Sequence, residues 1–537
     1  MSNTALANAP NVAELALLEP QRLAQMVLAQ AAQIDSLKGQ IEWFRRQIFG
    51  QKSERHVPQP DAQQLHLGEL MPAVSGAPEP KQEVPAHHRR RVRSDFADDK
   101  SSAPFFDESK VPVVTIEVPN PEVDGLSSEQ YEVVGQKCSH RLAQRPGSYV
   151  VLKYVRTVIK RCDTQTLHCP AAPVGVIEGS RADVSFVAGL LVDKFAWHLP
   201  LYRQHQRLIA AGFNLSRPWL TQLVQQGAQL LEPVYEAQLE SIRRSRVKAV
   251  DETPIKAGRG APGKMKAGYY WPVYGELDEV CFPYFGSRQH RNVIELLGDK
   301  PVEGTVLLSD GYAAYSRYAD KTGVTHAQCW SHMRRNFFDA LNAAPQAADE
   351  ALRLIGKVYE VEAEIRKRKL GDETKRLHRL THAKPHVECF FAWVDEQFAN
   401  QGLLPSNALT KALAYARERR VQLMVFLDDA AVPMDTNHLE RALRPIPMGR
   451  RNWLFCWSEV GAEHAGIVQS LIATCRLHDI DPYTYLVDVL QRVGQHPAAR
   501  VAELTPRLWK QHFAACPLRS DLHNASWATS AAPASAL

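Results

Sequence analysis

RVKAVDETPIKA (Arg246–Ala257) reads as a strand that reaches an acidic pair, Asp251 and Glu252, near its end. Alternating segments follow at AGYYWPVYGE (Ala267–Glu276) and EVCFPYFG (Glu279–Gly286), then a helix-like RNVIELLG (Arg291–Gly298). GTVLLSDGYAAY (Gly304–Tyr315) is a short strand of the buried type that ends at Asp310, with Gly311 breaking it. THAQCWSHMRRNFFDAL (Thr325–Leu341) then runs from strand into helix. Three antiparallel-type strands, a helix, and further strands joined by helices predict an α/β fold with a mixed sheet of ribonuclease-H type. Asp251 and Asp310 fall at strand ends, where such a sheet builds its site. Alternation along a strand sends Glu252 to the opposite face, so it is left outside that site.

A third acidic residue lies far downstream in MDTNHLERALRPIPMGRRNWLF (Met434–Phe455). Asn437, Glu440, Arg441 and Arg444 recur at helical spacing and share one face, and Pro445 ends the helix. Carboxylates from separate elements suit Mg²⁺, which prefers hard oxygen ligands and keeps several waters. Two such ions serve in-line displacement at phosphorus, with Mn²⁺ as the natural substitute, and neighbouring arginines take phosphate oxygens. The predicted metal ligands are therefore Asp251, Asp310 and Glu440, with His332 and Asn437 as accessory groups. Arg335, Arg441, Arg444, Arg450 and Arg451 are the predicted phosphate contacts around them.

Outward from this region, LPLYRQHQRLIAA (Leu199–Ala211) makes an amphipathic helix stopped by Gly212. Ser216 can cap a following helix whose first turn tolerates Pro218. The outline is that of a helix-turn-helix, with Arg217, Thr221, Gln222 and Gln225 available to DNA; paired helices in a protein that binds none share it. Leu23, Val27, Gln30, Ile34, Leu37, Ile41, Phe44 and Ile48 form a heptad seam, which predicts a coiled coil that pairs protomers. Prolines recur from Pro58 to Pro104 without an apolar period, as in a flexible basic linker. VPVVTIEV and SYVVLKYVRTVIKRC then predict a small β-rich domain.

The chain has 537 residues, enough for three or four domains at about 150 each. Lys and Arg total 64 against 59 Asp and Glu, so the net charge of +5 does not by itself indicate a nucleic-acid partner. The basic residues bunch, however, in HHRRRVR (His87–Arg93), RRSRVK (Arg243–Lys248), RKRK (Arg366–Lys369) and RPIPMGRR (Arg444–Arg451). Such clusters suit a phosphate backbone, or else solvated helix faces. No apolar run is long enough to span a membrane, and no signal peptide is legible. Nine scattered cysteines include no CxxC pair, which fits a reducing compartment. Cys138, His140, Cys162, His168 and Cys169 are badly spaced for structural zinc, which is not expected.

DETP at Asp251, SDGYAAY at Asp310, CWSHMRRNFF at Cys329 and NHLERALRP followed by GRRNWLF resemble the transposases of the insertion sequence 66 family. FGQKSER (Phe49–Arg55), HLPLYRQHQ (His198–Gln206) and LIATCRLHDIDPYTYLVDVL (Leu471–Leu490) extend the resemblance over nearly the whole chain. It implies a DDE transposase with Asp251, Asp310 and Glu440 as metal-binding triad, which frees a 3′-hydroxyl at the element's end and joins it to target DNA. It also implies a homo-oligomer, accessory proteins of the same element, and a cytoplasmic, nucleoid-associated bacterial location. Members of the family carry paired cysteines after the linker; Cys138, Cys162 and Cys169 depart from that pattern.

The expected organisation is then as follows. A coiled-coil segment (1–56) and linker (57–110) precede a degenerate zinc-finger-like β domain (111–178) and a helical DNA-binding region (179–244). The core comes in two parts, 245–340 and 431–495, around a helical insertion (341–430) that accounts for the long gap between Asp310 and Glu440, and a tail (496–537) follows. Two other functions fit the same residues: a structure-specific nuclease on this fold, which cuts without joining, and a DNA-binding regulator with a silent core.

Overall fold

The computed structural model describes residues 105–524, apart from 125, 128, 146, 261–263, 400–403 and 451, together with the helical pair Gln30 and Ala31. The remainder of the heptad seam, the linker up to residue 104, Arg451 and residues 525–537 lie outside the described residues. Apart from residues 342–345 and that pair, everything below belongs to one compact unit.

The first sheet holds β1 (Val113–Val118), β2 (Tyr131–Arg145), β3 (Ser148–Arg161) and β4 (Leu167–His168). Its order is β1-β3-β2, with β4 also on β3; β2 and β3 form an antiparallel hairpin and β1 runs parallel to β3. Ala143, Val150, Leu152 and Tyr154 make its core together with Leu522, and the Tyr154 hydroxyl donates to Asp521 at 2.8 Å. The C-terminal segment is thus built into the molecule. A 3₁₀ helix (Ala498–Leu504) and a helix (Pro506–His512) precede it, with Leu504 and Trp509 buried. The linker likewise stops short of residue 110, because Phe106 is buried and bridges to Phe213. These apolar residues are too few and too widely spaced to show a period in the sequence.

Three helices follow: α1 (Val184–Phe195), α2 (Leu201–Ala210) and α3 (Arg217–Arg244). Gly212 takes φ +94° between α2 and α3, and the Ser216 hydroxyl accepts from Trp219 N at the start of α3. Residues 105–107 cover this turn through hydrogen bonds between Asp107 N and Gly212 O and between Asn214 N and Phe105 O. Helix α3 continues through Pro233 and carries Ile242 into the core of the central sheet.

The central sheet has the order β12-β11-β5-β8-β9. Its strands are β5 (Val247–Val250), β8 (Val273–Gly275), β9 (Glu279–Cys281), β11 (Val306–Ser309) and β12 (Thr325–Gln328). β5, β8 and β9 are antiparallel neighbours, while β11 and β12 add parallel on the other side of β5. β6 (Thr253–Arg259), β7 (Met265–Tyr270) and β10 (Tyr284–Phe285) form a separate antiparallel sheet. Segments 267–276 and 279–286, each legible as one alternating run, are therefore split at Pro272 and Pro283. Proline supplies no N–H to a ladder, so the strands leave one sheet for the other there. Asp251 N meets Pro272 O, and Trp271 N meets Pro283 O, so the three breaks lie at one corner.

Helices α4 (Arg291–Leu297) and α5 (Ala313–Thr322) cover one face, where Val250, Trp271, Leu307, Tyr315 and Tyr318 are buried together. After β12 come α6 (Trp330–Ala340), α7 (Pro345–Arg368), α8 (Asp372–His378), a π-helical turn (Arg379–Ala383), α9 (Lys384–Ala399), α10 (Ala408–Glu418) and α11 (Arg420–Asp428). The chain then returns through α12 (Asn437–Leu443), α13 (Pro445–Gly449), α14 (Glu459–Leu477) and α15 (Pro482–Arg492). Among the described residues no helix is long and apolar enough to cross a membrane.

Arg379, 0% exposed, fastens these helices to the sheet. It donates to both Glu362 oxygens, at 2.7 and 3.0 Å, and to the carbonyls of Phe426, Asp429 and Val432. The Asp429 carboxylate in turn takes Arg246, the residue before β5, at 2.6 and 3.1 Å. Losing one partner of such a pair strands a buried charge, so Arg379→Met is expected to cost about 3–5 kcal/mol in urea unfolding. Adding Glu362→Leu removes the stranded carboxylate and should restore part of that loss. A double variant no more stable than Arg379→Met would overturn the ionic account.

Candidate active site

Asp251 follows the last residue of β5 and Asp310 the last residue of β11. The two strands are parallel neighbours, with Ala249 opposite Leu308, so both aspartates emerge side by side at the same end of the sheet. Asp251 Oδ1 accepts from Glu252 N at 2.7 Å and Asp310 Oδ1 from Tyr312 N at 2.9 Å. Gly311 is needed for more than ending the strand. A Cβ there would come within 2.7 Å of the Tyr415 ring of α10.

Burial sets the electrostatics, and crowding of carboxylates adds to it. Burial pushes Asp251 up to about 7, and the charges of Asp310 and Glu252 push the same way, against the Glu252 N–H and His332. Glu252 is also raised, by burial first, against the opposing pull of Tyr315 and Arg288. Its Oε2 accepts from the buried Tyr315 hydroxyl at 2.6 Å, and its Oε1 is gripped by the Arg288 guanidinium. Strand alternation had placed Glu252 away from the site. The strand, however, ends at Val250, so Glu252 lies in the corner and its carboxylate stands near Asp310. Thr253-Pro254, directly after it, was the available sign that the strand had already broken.

Glu440 arrives on α12, which is docked through Cys329. Cys329 N donates to Ser309 O, at the end of β11, and its buried sulfur lies 3.1 Å from Thr436 Oγ1 and 3.2 Å from Thr436 N. Trp330 N donates to Met434 O beside it. Burial alone would raise the Cys329 thiol, but His332, Ser331 and Thr436 bring it below its ordinary value. Cys329 is the main influence that pushes His332 up to about 9, and Asp251 and Asp310 add to it. His332 Nδ1 lies 3.9 Å from Glu440 Oε1. Ser331 and Thr436 hydroxyls also donate to that oxygen, both at a long 3.4 Å, and the Glu440 side chain is 41% exposed. One imidazole thus answers to all three acids.

The other expected contacts are distributed unevenly. Arg335, Arg441 and Arg444 are exposed near these elements, while Arg450 donates to Pro254 O at 2.6 Å. The Asn437 amide is turned to Asp435, at 2.6 Å, rather than to Glu440. Arg217 and Gln222 lie on the first turns of α3, with Arg217 exposed over the Tyr202 ring. In the cluster at 243–248 Arg244 is exposed and pairs with Glu240, while the other three cations are engaged by the fold. Arg243 donates to the carbonyls of Glu295 and Leu296, Arg246 pairs with Asp429, and Lys248 is buried against Ser245 O. Cys138 is exposed on β2, Cys162 is exposed in the turn after β3, and Cys169 follows β4.

Among the described residues no three His, Cys, Asp or Glu side chains stand close enough together to hold a metal ion. Asp251 and Asp310 converge; Glu440 faces His332. The donors nonetheless fit a hard divalent cation: Asp251 and Asp310 are hard carboxylates, and burial holds Asp251 at about 7 despite the nearby His332. The folded chain therefore holds a proton that the unfolded chain releases near the ordinary carboxylate value of 3.8. Stability without metal must fall as pH rises through that window toward 7. Asp251→Asn removes the charge, so in EDTA it should raise Tm by roughly 2–5 °C at about pH 8 and scarcely at about pH 5. An equal shift at both pH values would contradict the assignment.

Residues 179–464 match the model of the Transposase IS66 family, and residues 470–507 that of the IS66 C-terminal element. Residues 36–99 match Transposase C of IS166 homeodomain. Similar chains include uncharacterized proteins of Sinorhizobium fredii. Protein y4hP is 28% identical over 512 residues, covering 90% of each chain. Protein y4jD is 27% identical over 518 residues, covering 92% of this chain and 98% of its own. Protein y4qI is 27% identical over 409 residues, covering 73% of this chain and 74% of its own. The first match takes in more than half of the sequence, including both strand ends and α12, and the chain belongs to the IS66 family of transposases.

Proposed function

We propose that this transposase is of the DDE type, with Asp251, Asp310 and Glu440 holding two Mg²⁺ ions, or Mn²⁺ in their place. The carrying observation is the adjacency of the β5 and β11 ends, with α12 docked beside them through Cys329 and Thr436. Three antiparallel strands followed by two parallel additions beside the first support a ribonuclease-H-like core. Bound ions supply charge stabilisation for in-line displacement at phosphorus. Arg441 and Arg444 hold phosphates of the DNA. His332, protonated at neutral pH, keeps Glu440 oriented and offsets the charge of the aspartates. Glu252, held by Arg288 and Tyr315, fixes the corner that carries Asp251.

DNA is the substrate, and cleavage of the element's end is followed by attack of the freed 3′-hydroxyl on target DNA. The heptad segment at 23–48 would pair protomers, so that two ends are joined in one complex, with proteins of the same element as further partners. Strand transfer on duplexes carrying the element's ends tests the assignment. Asp251→Asn, Asp310→Asn and Glu440→Gln should each reduce joint molecules about 100-fold or more. Full activity in any of them would remove that residue from the triad. Cut ends without joint molecules would mark a nuclease, and binding without any product a regulator.

A further inference from the structure

The chain from α13 to α14 bears aromatic side chains with no use in the chemistry above. Residues 455–457 pass beside β6, with Cys456 bridged in parallel to Ala257 and Gly258 N donating to Cys456 O at 3.2 Å. Cys456 and Ala257 are both buried, so Phe455 and Trp457 face outward, at 59% and 72% exposure. Rings of this size left in water ask for a partner.

The surroundings indicate which one. On β6 the outward residues are Pro254, Lys256 and Arg259, and Arg450 reaches over to Pro254 O. Exposed Arg441 and Arg444 lie on the stretch leading to Arg450, and Glu459, the acid next to the segment, is engaged by Lys266 at 2.7 Å. The surface is thus aromatic and cationic, with its nearest anion neutralised. It also has a fixed place, because β6 starts two residues past Asp251. At about 3.3 Å per residue, Lys256 lies roughly 15 Å along the strand from the proposed chemistry.

We infer that Phe455 and Trp457, with Lys256 and Arg450, form a platform for unpaired nucleotides of the DNA strand adjoining the scissile phosphate. Every base offers a π-face to an aromatic ring, whereas bases within a duplex are already stacked on one another. The cations match the phosphates of the same strand. The inference rests on the transposase reading, but its test needs no catalysis.

Binding of the full chain is measured in EDTA by fluorescence anisotropy, with a blunt duplex and with the same duplex carrying a single-stranded thymidine extension. The extended duplex should bind about 10-fold tighter or better. Phe455→Ala with Trp457→Ala should abolish that preference while leaving blunt-duplex binding unchanged, and Phe455→Tyr with Trp457→Phe should keep it. Equal binding of the two duplexes, or a preference that survives the alanine pair, overturns the platform. So does an alanine pair whose sole defect is loss of self-association, which would make the face a contact between copies of the chain. Strand transfer in magnesium is read separately, so failure of the platform leaves the triad standing and failure of the triad leaves the platform measurable.

Discussion

Like charges held at the end of an apolar sheet are the constraint around which this molecule is arranged. Asp251, Glu252 and Asp310 gather where β5 and β11 stop, and burial favours the neutral form of the first two. The neighbours divide the work of containing them. Arg288 pairs with Glu252 and the Tyr315 hydroxyl donates to it, and His332 faces the aspartates from the start of α6. Burial still leaves Glu252 raised, and Asp251 is raised as far as about 7. A site of this kind is less stable empty than filled, as expected where binding of cations supplies the missing charge.

The third acid is subject to a different constraint, because it must be brought in from far along the chain. Cys329 does this with one buried sulfur, which accepts from the Thr436 backbone while its own amide bonds to β11. On the other side Arg379 gathers the carbonyls of residues 426–432, and Asp429 ties that segment to Arg246 at the start of β5. The long helical stretch between α6 and α12 therefore leaves and returns through two fixed points, one at the end of β11 that carries Asp310 and one at the start of β5. Between those points Tyr415 packs on Gly311 beside Asp310, so the stretch also bears on the sheet end directly.

Much of the central fold was legible. Val247–Val250 and Val306–Ser309 are short apolar runs that end at an acidic residue, a local signal strong enough to set both strand ends. Ser216, Pro218 and Gly212 marked the helix pair because caps and turns depend on single residues. The strand breaks at Pro272 and Pro283 were missed, since hydropathy alternates straight through a corner when both sheets bury the same side. Glu252 was set apart by alternation along a strand that in fact stops at Val250. The RRSRVK cluster fitted either a phosphate backbone or a solvated face, yet Arg243 and Arg246 find partners in α4 and at Asp429, which no local pattern reveals.

By itself, then, the sequence determined the order of strands and helices, the two strand-end aspartates, and the family, because each is written in contiguous residues. Tertiary structure alone decided that Glu440 would meet His332, that Glu252 would turn toward Asp310, and that Phe455 and Trp457 would stand on the outer face of β6. Those outcomes depend on hydrogen bonds and charges between segments a hundred or more residues apart, or on where a strand ends. Chain order carries no information about such distances until the sheet has closed around them.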